Sequence, residues 1–366
     1  MSMMLSKYTN SRDNNFNLIR FIAASLVLYS HSFPLSGISG EPFVKYLGIS
    51  GGEIAVDVFF ISSGFLIASS FFNRNNIGVF IWARILRIYP ALIVAVLFCT
   101  FVVGLFFTKE LWPSYLNDSV THKYLFKNAT LFFGVEYTLP SVFNDNPYKD
   151  AVNGSLWTLP FEVKMYVYLA VIGVLLNYLK EFIRHPLIKI SFLVIAICAI
   201  SIYIYNYFDS SSKDPFSRLF SMFFIGVAFY LWRDNISMSL KLFIVFFTIL
   251  SISTINKGSF FVAYSILLPY LIFYVAYVPG GWIRNYNKFG DYSYGIYIYA
   301  FPVQQSVAAI IPNVSLIHMV SISFAVTFVL SFLSWHLIEK RALKFKSSYI
   351  KFEQIIFKKI NRKKRA

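Results

Sequence analysis

The sequence predicts an all-α polytopic membrane protein of about ten transmembrane helices with both termini cytoplasmic. Three observations carry that expectation. The 366-residue chain is 57% hydrophobic and only 14% charged, too few charges to cover a soluble surface of that length. Its apolar stretches recur in runs of roughly 16 to 22 residues, the length that crosses a bilayer as a helix. Aromatic residues make up 20%, with 41 Phe and 25 Tyr, which suits lipid-facing and interfacial positions.

The expected spans cover residues 16–33, 52–72, 90–107, 157–178, 188–205, 216–232, 240–255, 259–278, 294–311 and 317–338. A cytoplasmic N-terminus places 23 of the 33 Lys and Arg on the inner side, eleven of them after Glu339. Eight fall outside, Arg218 among them, and Arg20 and Lys164 lie within spans. That bias sets the orientation, and an even span count returns the C-terminus to the same side. Residues 1–338 then form one transmembrane domain, and 339–366 a basic amphipathic tail on the cytoplasmic surface. One long outward loop, 108–156, contains no obvious domain, and its apolar piece 129–134 is too short to span.

The net charge of +16 raises the question of nucleic acid, but the basic residues sit in short loops and the tail. There they act as topology signals and contacts for anionic lipid, so no nucleic-acid partner is expected. Cys99 and Cys198 each fall inside an apolar run and form no motif. The sequence holds no metal-ligand cluster, Walker motif, GxSxG signature or internal repeat, and no metal is expected.

The first span, FNLIRFIAASLVLYSHSFP, carries Arg20 and His31 eleven positions apart. Eleven residues make about three helical turns, so the two side chains share a face ~16 Å apart along the axis. Ionisable groups at such depth cost about 2.5–3.5 kcal/mol each on insertion scales and point to function. Either residue alone reads as an anchor or an interfacial histidine; a shared face weakens that reading. The topology directs Arg20 inward and His31 outward.

Three further segments place polar residues in or beside spans. GGEIAVDVFFISSGFLI sets Glu53 and Asp57 on one face, with Asp57 free to pair with a cation, His31 included. Ser62, Ser63 and Gly64 behind them suit close helix packing. IWARILRIYPAL puts Arg84 and Arg87 on one face of a short cytoplasmic helix, with Pro90 opening the third span. Paired guanidinium groups suit phosphate recognition, although simple positive-inside anchoring explains them equally. NGSLWTLPFEVKMYVY buries Glu162 on the same face as Tyr166, where it can meet an arginine or His31. A carboxylate beside an imidazole fixes its tautomer and raises its basicity.

Together these stretches resemble the acyltransferase 3 family of bacterial membrane acyltransferases. Arg20 and His31 match the family's Arg and His separated by ten residues in the first helix. AVDVFFISSGFLI resembles its second-helix signature, and RILRIYPAL its paired-arginine motif. SLWTLPFEVKMY resembles its Trp-Ser-Leu-x-x-Glu element, with Thr158 in place of Ser. SYGIYIYAFP and SWHLIEK resemble its last two helix motifs. Where many members carry a histidine near the end of the SYGIY motif, this chain has Ala300, which leaves His31 as the main catalytic candidate. Few residues follow the last span, so no appended hydrolase-like domain is expected.

The resemblance implies transfer of an acyl group, most often acetyl, from cytoplasmic acetyl-CoA to a hydroxyl of an extracytoplasmic carbohydrate, at the bacterial inner membrane. It makes the positions of Arg20 and His31 important for catalysis, His31 as general base or as acyl carrier. Glu162, and after it Asp57, is expected to orient His31. Arg20, Arg84, Arg87, Tyr166 and Trp157 are the substrate- and donor-binding candidates. Acetyl-CoA, a cell-surface carbohydrate and membrane lipids are the expected partners. Intramembrane Arg, Asp, Glu and His also suit a proton-coupled secondary transporter or polysaccharide exporter, although no inverted repeat supports it. A lipid acyltransferase facing the cytoplasm is a third reading.

Overall fold

The computed structural model describes residues 3–9, 11, 13–74, 76–178, 185–209 and 214–348. Most of the expected basic tail, from residue 349 on, lies outside these residues. Among the described residues, the helices that carry the argument are numbered in chain order. They are α1 (Phe16–Leu35), α2 (Gly51–Arg74), α3 (Ile77–Leu97), α4 (Trp112–Asn117), α5 (Ser119–Thr130) and α6 (Leu159–Tyr178), then α7 (His185–Asp209), α8 (Pro215–Leu231), α9 (Leu240–Ser253), α10 (Lys257–Tyr277), α11 (Ser293–Ile310) and α12 (Leu316–Ser334). A few one-turn helices and a two-residue antiparallel strand pair, Met3–Met4 with Ser237–Met238, complete them.

Among the described residues, seven helices are long and apolar enough to cross a membrane. The chain is an all-α polytopic membrane protein. The other three expected spans also form helices. Pro215–Leu231 and Leu240–Ser253 are shorter than those seven. Ser293–Ile310 is long enough but carries Ser, Tyr and Gln, because fifteen of its eighteen residues are buried in protein and need no lipid-like surface. The opposite case is α9, apolar on every face, with no residue buried.

The main packing runs in a row, α12–α11–α1–α2–α8–α7, so α1 sits inside the bundle between α11 and α2. Its start is tied to the end of α10 by Asn15, whose Nδ2 donates to the Val275 and Pro279 carbonyls at 2.9 and 2.8 Å. Near its other end, Gln304 of α11 donates to the Leu28 carbonyl at 2.8 Å and to Ser32 Oγ at 2.7 Å. The α2–α8 crossing depends on two glycines. A Cβ on Gly64 would lie 2.0 Å from the Phe223 carbonyl oxygen, and one on Gly226 2.2 Å from that of Ile61. Backbones that close exclude any side chain, as at other small-residue crossings in membranes.

Two expectations about the chain's course are corrected. The third span does not open at Pro90. One helix runs from Ile77 through Pro90 and on, through a π-helical turn at Phe98–Gly104, to Phe107. Asn76 caps it, its Oδ1 accepting from Val79 N at 2.9 Å. Beside the proline, Tyr294 Oη of α11 donates to the Ile88 carbonyl at 2.9 Å and ties the two helices together. Arg84 and Arg87 therefore belong to the bundle, not to a surface helix.

The long loop is not featureless either. Its helix α5 descends beside α3 until Tyr89 Oη donates to the Thr130 carbonyl at 3.0 Å. Tyr89 lies eighteen residues before Phe107, so the descent is on the order of 20 Å. The hairpin is closed by Asn128 and Glu136, which exchange hydrogen bonds at 2.8 and 2.9 Å. Its tip exposes Phe132 and Phe133.

Candidate active site

Helix α1 presents Arg20 and His31 toward α11. At the Arg20 end, four elements bring together charges far apart in sequence. Arg87 Nη2 donates to Asp291 Oδ2 at 2.5 Å, and its Nη1 to Glu339 Oε2 at 3.3 Å. Arg20 Nη1 lies 3.9 Å from the same Asp291 oxygen, with its guanidinium 5.5 Å from the Phe59 ring centroid. Ser293 Oγ donates to Asp291 Oδ1 at 2.5 Å, and Ser334 Oγ to Glu339 Oε1 at 3.0 Å. Asp291 sits in the turn ahead of α11. Burial raises its carboxyl, but Arg87 and then Arg20 outweigh burial and hold it at about 2.

Arg84 points to another helix. Its guanidinium lies 5.8 Å from the ring centroid of Tyr166 and 6.0 Å from that of Phe80. Tyr166 in turn donates a short hydrogen bond to Glu162. Arg84 Nε and Arg20 Nε are buried without a hydrogen-bond partner. Arg84 also lines a groove of about 520 Å³ between α3 and α6, whose other walls are apolar residues such as Ile81, Val167 and Val171. Three arginines thus face three carboxylates, with donors to spare.

Above this cluster lies a cavity of about 30 Å³ lined by Arg20, Phe59, Ser63, Glu162, Tyr294 and Tyr297. Tyr297 Oη and Thr158 Oγ1, 2.6 Å apart, close its wall. The rings of Phe59 and Tyr297 meet at 5.8 Å, and farther along the same face Phe301 packs edge-on against His31 at 5.4 Å. Aromatic rings therefore separate the arginine end from the imidazole.

His31 Nδ1 is buried and unpartnered, and among the described residues no carboxylate bonds to the ring. Neither carboxylate expected to orient it does so. Glu162 is spent on Tyr166 and the cavity at Arg20. Asp57 faces α8 and α10, its Oδ1 accepting from Arg218 Nε of α8 at 2.9 Å and its Oδ2 from Tyr264 Oη of α10 at 2.8 Å. Arg218, expected as an outer-loop charge, is a buried partner that also reaches Glu53 Oε1 at 3.1 Å. Glu53 and Asp57 share a face, and that face turns to α8 instead of α1. Trp157 packs against Phe161 at 5.9 Å, away from the arginines.

Asp291 and Glu339 are the site residues that sequence reasoning missed. The SWHLIEK motif contains Glu339, and its position at the end of an apolar run was the available signal; Asp291 stands two residues before the SYGIY motif.

The family model for an acyltransferase domain matches residues 13–336. The chain belongs to the acyltransferase 3 family. That membership decides between group transfer and transport as readings of the polar face: this is a membrane O-acyltransferase. It is similar to the O-acetyl transferase of Shigella phage Sf6, 29% identical over 356 residues that span 91% of this chain and 96% of the relative. It is also similar to Nodulation protein 10 of Rhizobium leguminosarum bv. viciae, 27% identical over 381 residues, or 94% of this chain and 97% of that one. No solved structure matches the acyltransferase at a significant level.

Proposed function

We propose that the protein moves an acetyl group from cytoplasmic acetyl-CoA to a hydroxyl of an extracytoplasmic surface polysaccharide, such as O-antigen, capsule or exopolysaccharide. It does so in the bacterial inner membrane, with ten helices across the bilayer and both termini inside. One observation carries this reading: the polar face of α1, with undersatisfied arginines at one end and an unpartnered imidazole at the other. The name of the Sf6 relative supports acetyl as the group transferred.

In this scheme the open edge of Arg84 receives the donor's phosphates, and Arg87, held in place by Asp291 and Glu339, completes the anion site. Arg20 contacts the donor arm beside Glu162, while Tyr166 shapes its path. A hydroxyl of the acceptor donates to His31, which takes the proton as the oxygen attacks the thioester carbonyl. The C–S bond breaks, the departing thiolate recovers the proton from the imidazolium, and an ester and CoA thiol result. A thioester is already an activated acyl donor, so no second cofactor enters.

The test uses proteoliposomes with acetyl-labelled CoA on one side and base-de-esterified polysaccharide on the other. Label is expected as a base-labile ester on the polysaccharide. Label left as free acetate, or found on lipids of the donor-side leaflet, rejects the reading.

A further inference from the structure

At the His31 end of the bundle, the segment 139–150 and the end of α11 enclose a cleft of about 340 Å³. Its lining includes Phe107, Phe143, Lys109, Asn144, Asp145 and Asn313. Two rings, Phe107 and Phe143, meet at 4.9 Å. The two charged side chains that line it are bonded to each other, Lys109 to Asp145, so among its lining residues no cation stands free for a phosphate. What it does offer is apolar ring surface beside side-chain amides and a carboxylate. A sugar ring needs that combination: a C–H face to lay on a ring and hydroxyls that both donate and accept.

The cleft is also held rigidly. Asn146, buried in its wall, donates through Nδ2 to the Gln305 carbonyl at 2.9 Å and to Gln305 Oε1 at 2.8 Å. Gln305 Nε2 donates back to the Tyr148 and Ala151 carbonyls at 2.8 and 2.6 Å. Around the cleft Ser141, Phe143 and Asn313 hold φ of 56°, 60° and 56°, a left-handed region that a bulky residue such as phenylalanine rarely adopts. Such strain persists only where the surroundings enforce it. A preformed wall loses little freedom when a ligand binds.

Finally, the cleft lies on the imidazole's side of the bundle. Pro147, in its wall, packs so closely on Gly37 that a Cβ there would lie 3.2 Å away, and Gly37 is six residues beyond His31. The next residue, Tyr148, meets Phe301 at 5.9 Å, and Phe301 meets His31 at 5.4 Å. Two rings stand between the cleft and the proposed base.

We propose that this cleft seats an uncharged saccharide unit of the acceptor, next to the unit whose hydroxyl passes the Tyr148–Phe301 partition to reach His31. The proposal rests on the reading of the protein as a polysaccharide acyltransferase. It assigns acceptor recognition to Asn144, Asp145 and Asn313, none of which touches the donor end.

Binding of oligosaccharides cut from base-de-esterified surface polysaccharide of the host cells, measured by calorimetry on purified protein without acyl donor, tests it. Asn144→Ala with Asn313→Gly removes two amides at the cleft, that of Asn144 shared with Asp150 and the Val142 carbonyl, while glycine keeps the left-handed backbone at 313. This double variant is expected to bind about tenfold more weakly, the equivalent of one or two lost hydrogen bonds. Unchanged affinity in the double variant, or no binding by the parent, overturns the proposal. Labelled acetyl transfer by the same preparations separates the two ideas. Cleft-dependent binding without transfer keeps the cleft and rejects the function; transfer with cleft-independent binding does the reverse.

Discussion

Two buried ionic clusters divide the charges of this bundle, and they differ in how completely their hydrogen bonds are made. Around Arg218 every edge is used. Its Nε serves Asp57, its Nη1 Glu53, and its Nη2 donates to the Glu53 carbonyl at 2.5 Å, while Tyr264 takes the second oxygen of Asp57. Around Arg20, Arg84 and Arg87 the accounting stays open. Arg20 approaches Asp291 only at 3.9 Å, and two guanidinium Nε atoms have no partner. A closed cluster can hold helices together but has nothing left for a ligand. An open one leaves buried donors that an anion can satisfy, and leaving them empty is costly. Completeness of bonding, more than charge or depth, distinguishes the two.

The largest break in that comparison is expected at His31, the open group at the far end. His31→Ala should lower acyl transfer by about 10²–10⁴-fold, the range for losing a general base. Its fold should hold, because the ring's Nδ1 makes no hydrogen bond to lose. Equal transfer at equal folded yield would remove His31 from the mechanism. A ping-pong pattern with labelled acetyl retained on the protein would instead mark the ring as the acyl carrier.

The closed cluster should respond in the opposite way. Asp57→Asn leaves Arg218 buried with half its compensation, and breaking such a pair costs about 3–5 kcal/mol. Expected are a lower thermal midpoint and poor yield, with transfer per folded molecule preserved. Full stability combined with lost transfer would move Asp57 back into the chemistry.

Arg84→Gln probes the open cluster without emptying it. The apparent KM for acetyl-CoA should rise about tenfold, as for one lost charge-assisted contact, while the melting temperature stays within a degree or two. An unaltered KM would leave Arg84 as an aromatic-packed anchor and shift donor binding to Arg20 and Arg87.

These contrasts also explain what could be read from the sequence. The all-α class, the rough positions of most helices and the Arg20–His31 face follow from local periodicity, because each signal lies within one helix. The clusters do not. Arg218 stands just after an acidic and basic turn and reads as an outer anchor, while its partner Asp57 lies 161 residues away. Arg87 reads as one of a phosphate-binding pair, yet its carboxylates lie 204 and 252 positions along the chain. No spacing rule links such residues. The packing of α5 on α3 escaped for a related reason: it is fixed by the contact between Tyr89 and Thr130, not by its own hydropathy.

The last expected effect is on pH dependence, and it bears on the open cluster's framework. Asp291 titrates near 3.8 when unfolded and is held at about 2 in the fold, with Arg87 and Arg20 overcoming its burial. A carboxyl lowered in this way adds stability that is complete above about pH 4 and is lost as pH falls through about 2. The shift corresponds to about 2 kcal/mol. Thermal unfolding of the parent and of Asp291→Asn in detergent should therefore differ by that increment at pH 6. The gap should narrow steadily between pH 4 and pH 2. Asp57→Asn is the wrong control, since its cost comes from stranding Arg218. A gap between parent and Asp291→Asn that does not change with pH would mean that Asp291 serves only as a hydrogen-bond acceptor for Ser293. The arginine end would then be held by Glu339 alone, and Glu339→Gln should release Arg87 and raise the KM for the donor along with it.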